Sequence, residues 1–424
     1  MSETVLTGAN VPANTRSGNW RERVARRLVQ TQLERIDGDL VHLREAGEQH
    51  HFGTAAADAL SVDINVKDPR FYRRVLADGG VGAAEAYMED LWECSDLTAL
   101  CRIVLRSEMQ QQIAGRKGRL GELLDGVVHA FKRNTFRGAQ RNIAAHYDLG
   151  NDFFRLFLDD NLMYSCAIFP HVESTLEEAS DYKVDRICRK LDLGPQDHLL
   201  EIGTGWGGFA IHAARDYGCR VTTTTISQRQ WELARQRVAE AGLQDRVEVL
   251  LKDYRDLRGQ YDKLVSIEMI EAVGHHYLDT YFRRCGELLK ADGLMLLQAI
   301  CISDWVYEGA LRRVDFIKKY IFPGSFMPCV GAIADSVRRM TDMKIVHLED
   351  IGEHYARTLQ IWRQRFFKCL DAVRQMGYSE EFIRMWEFYL CYCEASFAER
   401  YNSDAQILLG KPGNRRDLIL PQLT

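Results

Sequence analysis

The residues best placed to do chemistry fall in 199–210, Leu-Leu-Glu-Ile-Gly-Thr-Gly-Trp-Gly-Gly-Phe-Ala. A short apolar run, one acid and then closely spaced glycines predict a strand that turns sharply and opens into a helix. Backbone N–H groups then face a nucleotide-like ligand. Gly203, Gly205 and Gly208 satisfy G-x-G-x-x-G, a turn shared by more than one class of nucleotide site. A dinucleotide site wants an acid about 20 residues further on, at the end of the second strand, to hold ribose hydroxyls. The stretch Cys219-Arg-Val-Thr-Thr-Thr-Thr-Ile-Ser227 has none. Instead Glu201 stands two residues ahead of the first glycine, and an Asp253-Tyr254 pair follows the third strand. A carboxylate under the turn suits a ligand that brings positive charge better than one that brings a pyrophosphate.

The elements around this turn alternate between strand and helix patterns. Strands are expected to end at Gly203 and near Thr225, and to span 247–251, 263–267 and 293–300; helices are expected over 209–217, 228–241 and 277–289. That alternation predicts a doubly wound, mostly parallel α/β sheet, Rossmann-like, with ligand off the carboxyl ends of its first and fourth strands. An apolar, aromatic, proline-broken insertion over 303–339 suits a lid above a greasy substrate, and long helices are expected over 355–376 and 380–400. Upstream, 60–105 reads as a small α+β unit: 60–66 alternates like a half-buried strand, and Asp68-Pro69 starts a helix. The expected domains are therefore 1–115, an accessory unit; 116–140, a basic connector containing Arg116, Lys117, Arg119, Lys132, Arg133 and Arg137; and 141–424, the catalytic domain.

A chain of 424 residues is long enough for two or three domains. The net charge of −5 gives no global basic field for nucleic acid, so any membrane affinity must be local. Trp20, Val24 and Leu28 recur every fourth residue among Arg21, Arg23, Arg26 and Arg27, a pattern that fits docking on anionic headgroups and equally a helix with solvated arginines. Eleven cysteines without a C-x-x-C make neither a zinc nor a disulfide framework and match a reducing compartment; no metal is expected. With no signal-peptide pattern at residue 1, the expected location is cytoplasmic.

Glu201-x-Gly-x-Gly-x-Gly resembles the class I S-adenosylmethionine (SAM) methyltransferases. Further blocks narrow the resemblance: His146-Tyr-Asp-Leu-Gly-Asn-Asp-Phe, Tyr164-Ser-Cys-Ala, Thr225-Ile-Ser-Gln, Ser266-Ile-Glu-Met-Ile-Glu-Ala-Val-Gly, Lys319-Tyr-Ile-Phe-Pro-Gly and His354-Tyr-Ala-Arg-Thr-Leu-Gln-Ile-Trp. Together they are similar to the cyclopropane-fatty-acyl-phospholipid synthases, including the mycolic acid cyclopropane synthases. Val66-Lys-Asp-Pro-Arg-Phe and Tyr87-Met-Glu-Asp-Leu-Trp resemble the extra N-terminal domain of the phospholipid-acting members.

The resemblance implies transfer of a methylene from SAM across a cis double bond of a phospholipid acyl chain. The alkene attacks the sulfonium methyl, a carbocation forms, and a base removes a proton from the new methyl group as the ring closes. It also implies that the base is a bicarbonate ion held by the Cys166 backbone, Glu271, Gln298, the Ile300 backbone and Tyr355. Gln298 departs from the family's histidine and cannot take a proton at neutral pH, which keeps a methyl- or methylene-branched product open. For SAM the resemblance implies Tyr164, Ser165, the turn glycines Gly203, Gly205 and Gly207, Thr225, Gln228, Asp253 and Tyr254. Cys393 matches a cysteine proposed for the family's active site, whereas its own setting reads as a small apolar helix position. Glu268 reads as a cap or orienter of the Glu271 loop or as a solvated acid. Alternatives are a small-molecule N-methyltransferase, which would want a histidine where Ala272 stands, and a lipid-binding protein without catalysis. The expected partners are the phospholipid bilayer surface, met peripherally, and a second copy of the chain in a homodimer.

Overall fold

The computed structural model describes residues 20–113 and 149–415. The expected N-terminal tail, the 116–140 connector and His146 lie outside the described residues, as do the first residues of the expected catalytic domain. The chain divides into two compact units between Ile103 and Val104.

The first unit is a four-stranded sheet with helices. In chain order it holds α1 (Trp20–Leu33), β1 (Leu40–Glu45), β2 (Glu48–Gly53), β3 (Ser61–Val66), α2 (Arg70–Met88), β4 (Trp92–Cys94) and the start of α3 (Leu97–Ile113). The sheet order is β2-β1-β3-β4, with β1 and β3 parallel and the outer pairs antiparallel. The alternation read in 60–66 buries Val62, Ile64 and Val66, and Val41 and Leu43 of β1 join them. The β1–β2 hairpin carries no aliphatic alternation in β2 (Glu-Gln-His-His-Phe-Gly), which is why it escapes a reading by period. The Gly79-Gly80 turn is a kink inside α2, with Gly79 at φ +54°.

The second unit is built on a seven-stranded sheet. It contains α4 (Asn151–Arg155), α5 (Leu176–Leu191), β5 (His198–Ile202), α6 (Gly208–Asp216), β6 (Arg220–Thr225), α7 (Gln228–Glu240), β7 (Val247–Leu251), β8 (Tyr261–Ile267), α8 (Leu278–Leu288), β9 (Leu289–Ile302), α9 (Asp304–Arg312), α10 (Val330–Met340), β10 (Lys344–Asp350), α11 (Gly352–Lys368), α12 (Leu370–Gln375), α13 (Glu380–Ala398) and β11 (Asn402–Gly410). The order is β10-β11-β9-β8-β5-β6-β7, parallel from β9 through β7 and antiparallel at β11 and β10. β5 and β8 are neighbours from which the chain winds in opposite directions, so the crevice beyond their carboxyl ends is where an open α/β sheet takes its ligand.

Local chemistry sets the element ends. Thr175 and Glu178 form a reciprocal capping box on α5, and Ser227 and Ser379 cap α7 and α13. Three expectations are corrected. The expected 355–376 helix breaks at Cys369 into α11 and α12. The fifth strand of the core, β9, runs from Leu289 to Ile302, well beyond 293–300 at both ends. The insertion is not a lid throughout, because α10 packs Ile333 and Val337 into the core with Tyr281 and Phe282 of α8.

Candidate active site

The turn after β5 has the shape its glycines predict. Gly203, Gly205 and Gly207 sit at φ +103°, +52° and +86°, a region that L side chains rarely adopt. No atom lies within 4 Å of where a Cβ on Gly205 would stand, so the turn presents bare backbone to open space. Beneath it the Glu201 carboxyl is buried and takes a hydrogen bond from the Thr223 hydroxyl, which in turn pairs with Thr204 at 2.7 Å. Burial pushes Glu201 up to about 8, so a cation arriving at the turn finds a carboxyl ready to ionise. At the end of β6 the Thr225 hydroxyl donates to Gln230 at 2.8 Å, and both are buried. Glycine backbone, acid and hydroxyl-amide pair fit a ligand with a cationic tail and a ribose.

On the other side of β5, the carboxyl end of β8 holds a second polar cluster. Glu268 is a non-glycine residue at φ +48°, and its carboxylate collects donors from three distant segments. The Cys166 N–H and the Gln298 amide each donate to Oε1 at 2.8 Å, and the Tyr355 hydroxyl donates to Oε2 at 2.7 Å. Gln298 also donates to Asp404 at 2.9 Å and accepts from Gln406 at 3.0 Å; Gln406 accepts from Lys190 at 2.8 Å. That chain fixes which end of the Gln298 amide faces the carboxylates. Asp404 is fully buried and is pushed well above the ordinary carboxylate range by burial and then by Glu268. Buried Lys183, lowered by desolvation, donates to Ser165 at 2.8 Å.

Glu271 stands one turn beyond. Its Oε1 accepts from the Ile300 N–H at 2.6 Å, while its inaccessible Oε2 has no partner. Burial, then repulsion from Glu268, raises it to about 8. Aromatic rings flank the cluster. Tyr355 stacks on Phe397 with centroids 4.4 Å apart, Tyr164 stacks on Trp362 at 5.3 Å, and the Tyr164 and Tyr389 hydroxyls meet at 2.8 Å.

The mycolic acid cyclopropane synthetase family matches residues 134–407. The chain belongs to this family. Its members are SAM-dependent methyltransferases, and the chain is accordingly an enzyme that uses SAM as methyl donor. It is 38% identical over 367 residues to the tuberculostearic acid methyltransferase of Mycobacterium tuberculosis, covering 82% of this chain and 83% of that one. It is 37% identical over 348 residues to the cyclopropane-fatty-acyl-phospholipid synthase of Escherichia coli, covering 82% and 87%. Among solved structures, a mycolic acid cyclopropane synthase in complex with S-adenosylhomocysteine (SAH) superposes with a TM-score of 0.60 at 31% identity, over 64% of this chain and 98% of that one. Coclaurine N-methyltransferase, at 21% identity over 80% of this chain and all of the other, shares the fold.

Within this cyclopropane synthetase family member, some expected site residues converge and others do not. Cys166, Gln298 and Tyr355 meet, but around Glu268, where the sequence reading put Glu271. The donors expected to hold bicarbonate are engaged: Glu268 takes Cys166 N, Gln298 and Tyr355, and Glu271 takes Ile300 N. With those donors already taken by Glu268 and Glu271, this set of residues does not fit bicarbonate.

At the SAM end, Gln228 is exposed and donates to Glu232 along its own helix. Gln230 is the inward glutamine, and the helical spacing of Ser227, Gln230 and Ala234 was its signal. Asp253 is tied by both oxygens to Arg255, and Tyr254 is buried beside it. Cys393 is outside the Glu268 hydrogen bonds; burial and then Asp315 push its thiol up. Asp404 and Gln406 were missed altogether, because both faces of β11 are buried and its sequence does not alternate cleanly. Among the described residues no helix is long and apolar enough to cross a membrane.

Proposed function

We propose that the enzyme transfers the SAM methyl carbon to the cis double bond of unsaturated acyl chains in phospholipids and closes a cyclopropane ring. The observation that carries this reading is the pairing of a hydrogen-bonded carboxyl cluster with aromatic walls at the carboxyl end of β8, one strand from the glycine turn. An alkene is a weak nucleophile, so catalysis must come from alignment with the sulfonium carbon in a dry site. Tyr164, Trp362, Tyr355 and Phe397 supply faces whose quadrupoles stabilise a cation. The glycine backbone at 203–207, Glu201, Thr225 and Gln230 would hold SAM, which supplies the electrophilic methyl group. No step runs through bicarbonate.

A branched product is the second reading. Gln298 replaces the histidine expected from the resemblance, and the relatives' names cover both outcomes, a cyclopropane synthase and a methyltransferase.

Contact with the bilayer is part of the proposal. On α1, Ala25 and Val29 are buried, while Trp20, Val24 and Leu28 are 63%, 49% and 46% exposed beside exposed Arg21, Arg23 and Arg27. An apolar stripe edged by arginines supports peripheral docking from the cytoplasmic side on an anionic lipid surface.

The test is to incubate the enzyme with methyl-labelled SAM and vesicles of monounsaturated phosphatidylglycerol and to analyse the acyl chains by mass spectrometry. One added CH2 with loss of the double bond is expected. One added CH2 with unsaturation retained selects the branched product, and label found only in water-soluble amines ends the reading.

A further inference from the structure

The reaction proposed above leaves a carbocation beside a newly added methyl group, and that methyl must lose a proton. Resting on that reading, we infer that the Glu268 carboxylate receives this proton, so the chain carries in one of its own side chains the anion that the family resemblance assigns to bound bicarbonate. Geometry carries the assignment. Donors from the segment before α5, from β9 and from α11 converge on one carboxylate: Cys166 N–H, the Gln298 amide and the Tyr355 hydroxyl, all at 2.7–2.8 Å. They are three of the five groups expected to grip the free anion. The Asp404 carboxyl, pushed well above the ordinary carboxylate range by burial and by Glu268, is hydrogen-bonded to that same side chain, so Glu268 is the carboxylate on which this polar network converges.

The backbone adds an independent observation. At φ +48°, position 268 suits glycine, and a β-carbon there is held against local preference. Strain of this kind persists where the surroundings over-determine it, and here three hydrogen bonds anchor the side chain. Glu271, by contrast, spends one oxygen on the Ile300 N–H and is raised to about 8 by burial, so it acts as a clamp on β9.

The step balances. The alkene π pair forms the new C–C bond as the C–S bond breaks, releasing SAH. The C–H pair of the new methyl then closes onto the cationic carbon, and its proton passes to Glu268. Loss of that proton to solvent restores the carboxylate. Gln298 acts as a positioning residue, because its amide holds Glu268 and Asp404 together while Lys190 and Gln406 hold the amide.

The experiment uses the full chain, unsaturated phospholipid vesicles and labelled SAM, with SAH affinity measured by calorimetry for every variant. Wild-type turnover is expected to stay within twofold when buffers are stripped of carbon dioxide. Glu268→Gln keeps the shape but loses the base, and turnover should fall by roughly a hundredfold or more with SAH affinity intact. Glu268→Gly relieves the backbone and opens the anion position, so millimolar formate or bicarbonate should raise its turnover at least tenfold. A glutamine variant with near wild-type turnover overturns the assignment. So does a wild type that needs bicarbonate, or a glycine variant that binds SAH and responds to neither anion. A wild type that transfers no label to lipid refutes the parent reading instead.

Discussion

Glu201, buried in β5, and Glu268, half-buried just beyond the adjacent parallel strand β8, are two carboxyls held in opposite ways. Glu201 lies under the glycine turn with one threonine hydroxyl for company and is raised to about 8. Glu268 lies beyond the end of β8 with three donors drawn from remote parts of the chain. Burial without donors favours the neutral form, and convergent donors favour the charged one. The first arrangement waits for a cation; the second gathers three hydrogen-bond donors on one carboxylate. One sheet thus provides a place for the sulfonium donor and, one strand away, a place for the proton its methyl group gives up.

The sharpest way to break this comparison is to remove the donor end alone. Gly205→Val places a β-branched side chain at φ +52° and fills the open space above the turn. SAH affinity should fall by more than about a hundredfold, with the melting temperature lowered by only a few degrees. Calorimetry checks it, and unchanged affinity refutes the turn as the SAM cradle.

At the acceptor end, Tyr355→Phe removes one of the three donors on Glu268 and keeps the ring stacked on Phe397. Turnover should fall roughly thirtyfold to a hundredfold, the effect of losing one preorganised donor to a developing or discharged anion. KM for SAM should stay put, because the donor end is untouched. A rise in KM with turnover preserved would move Tyr355 to the wrong side of the comparison.

Gln298→His is a finer probe. A glutamine amide offers two N–H donors to Glu268 and Asp404 and one oxygen to Gln406, all of which are used. Neutral imidazole has one donor and cannot serve two carboxyls and an amide together. Restoring the family's usual residue should therefore lower turnover about tenfold in this chain. Equal or higher turnover would show that the Lys190–Gln406–Gln298 relay does not position Glu268.

The same contrast explains what could be read from the sequence. The donor end is local: Glu201, the glycines and their strand lie within one short stretch, and the period of the flanking segments fixes a parallel sheet. Thr225 follows from the end of the second strand, but Gln228 was named where Gln230 is the residue on the inward helix face. The acceptor end is nonlocal. Cys166, Glu268, Gln298, Tyr355 and Asp404 are brought together only by the sheet order β11-β9-β8 and by α11 folding back over it. β11 returns antiparallel after three helices and is buried on both faces, so neither a parallel βαβ rhythm nor an alternating pattern announces Asp404 and Gln406. Resemblance supplied three of the donors, Cys166, Gln298 and Tyr355, and named Glu271, whereas in the structure the three meet on Glu268. Glu268 and Glu271 are only three residues apart, and it took the left-handed backbone at 268 to turn the former inward.

The smallest expected effect is thermodynamic and concerns Glu201. A carboxyl raised from 4.5 to about 8 on folding holds its proton in the native state and releases it on unfolding anywhere between those values. The native state binds more protons, so stability is greatest below the lower value and falls as pH rises through the window. The limit is about 1.4 kcal/mol per pH unit for each such group. Glu271, also raised to about 8, adds in the same direction. Thermal melts of the ligand-free enzyme should thus decline from pH 5 to pH 8, and Glu201→Gln should flatten part of that slope. Ligand binding gives the complementary readout. When the ammonium and sulfonium of SAM reach the turn, Glu201 is expected to ionise, so binding at pH 7 releases close to one proton. Calorimetry in two buffers of different ionisation heat measures that release. Glu201→Gln should abolish it, whereas Glu271→Gln, on the other side of the comparison, should leave it in place. If both variants released the same proton count as the wild type, Glu201 would not be the carboxyl that meets the donor's charge.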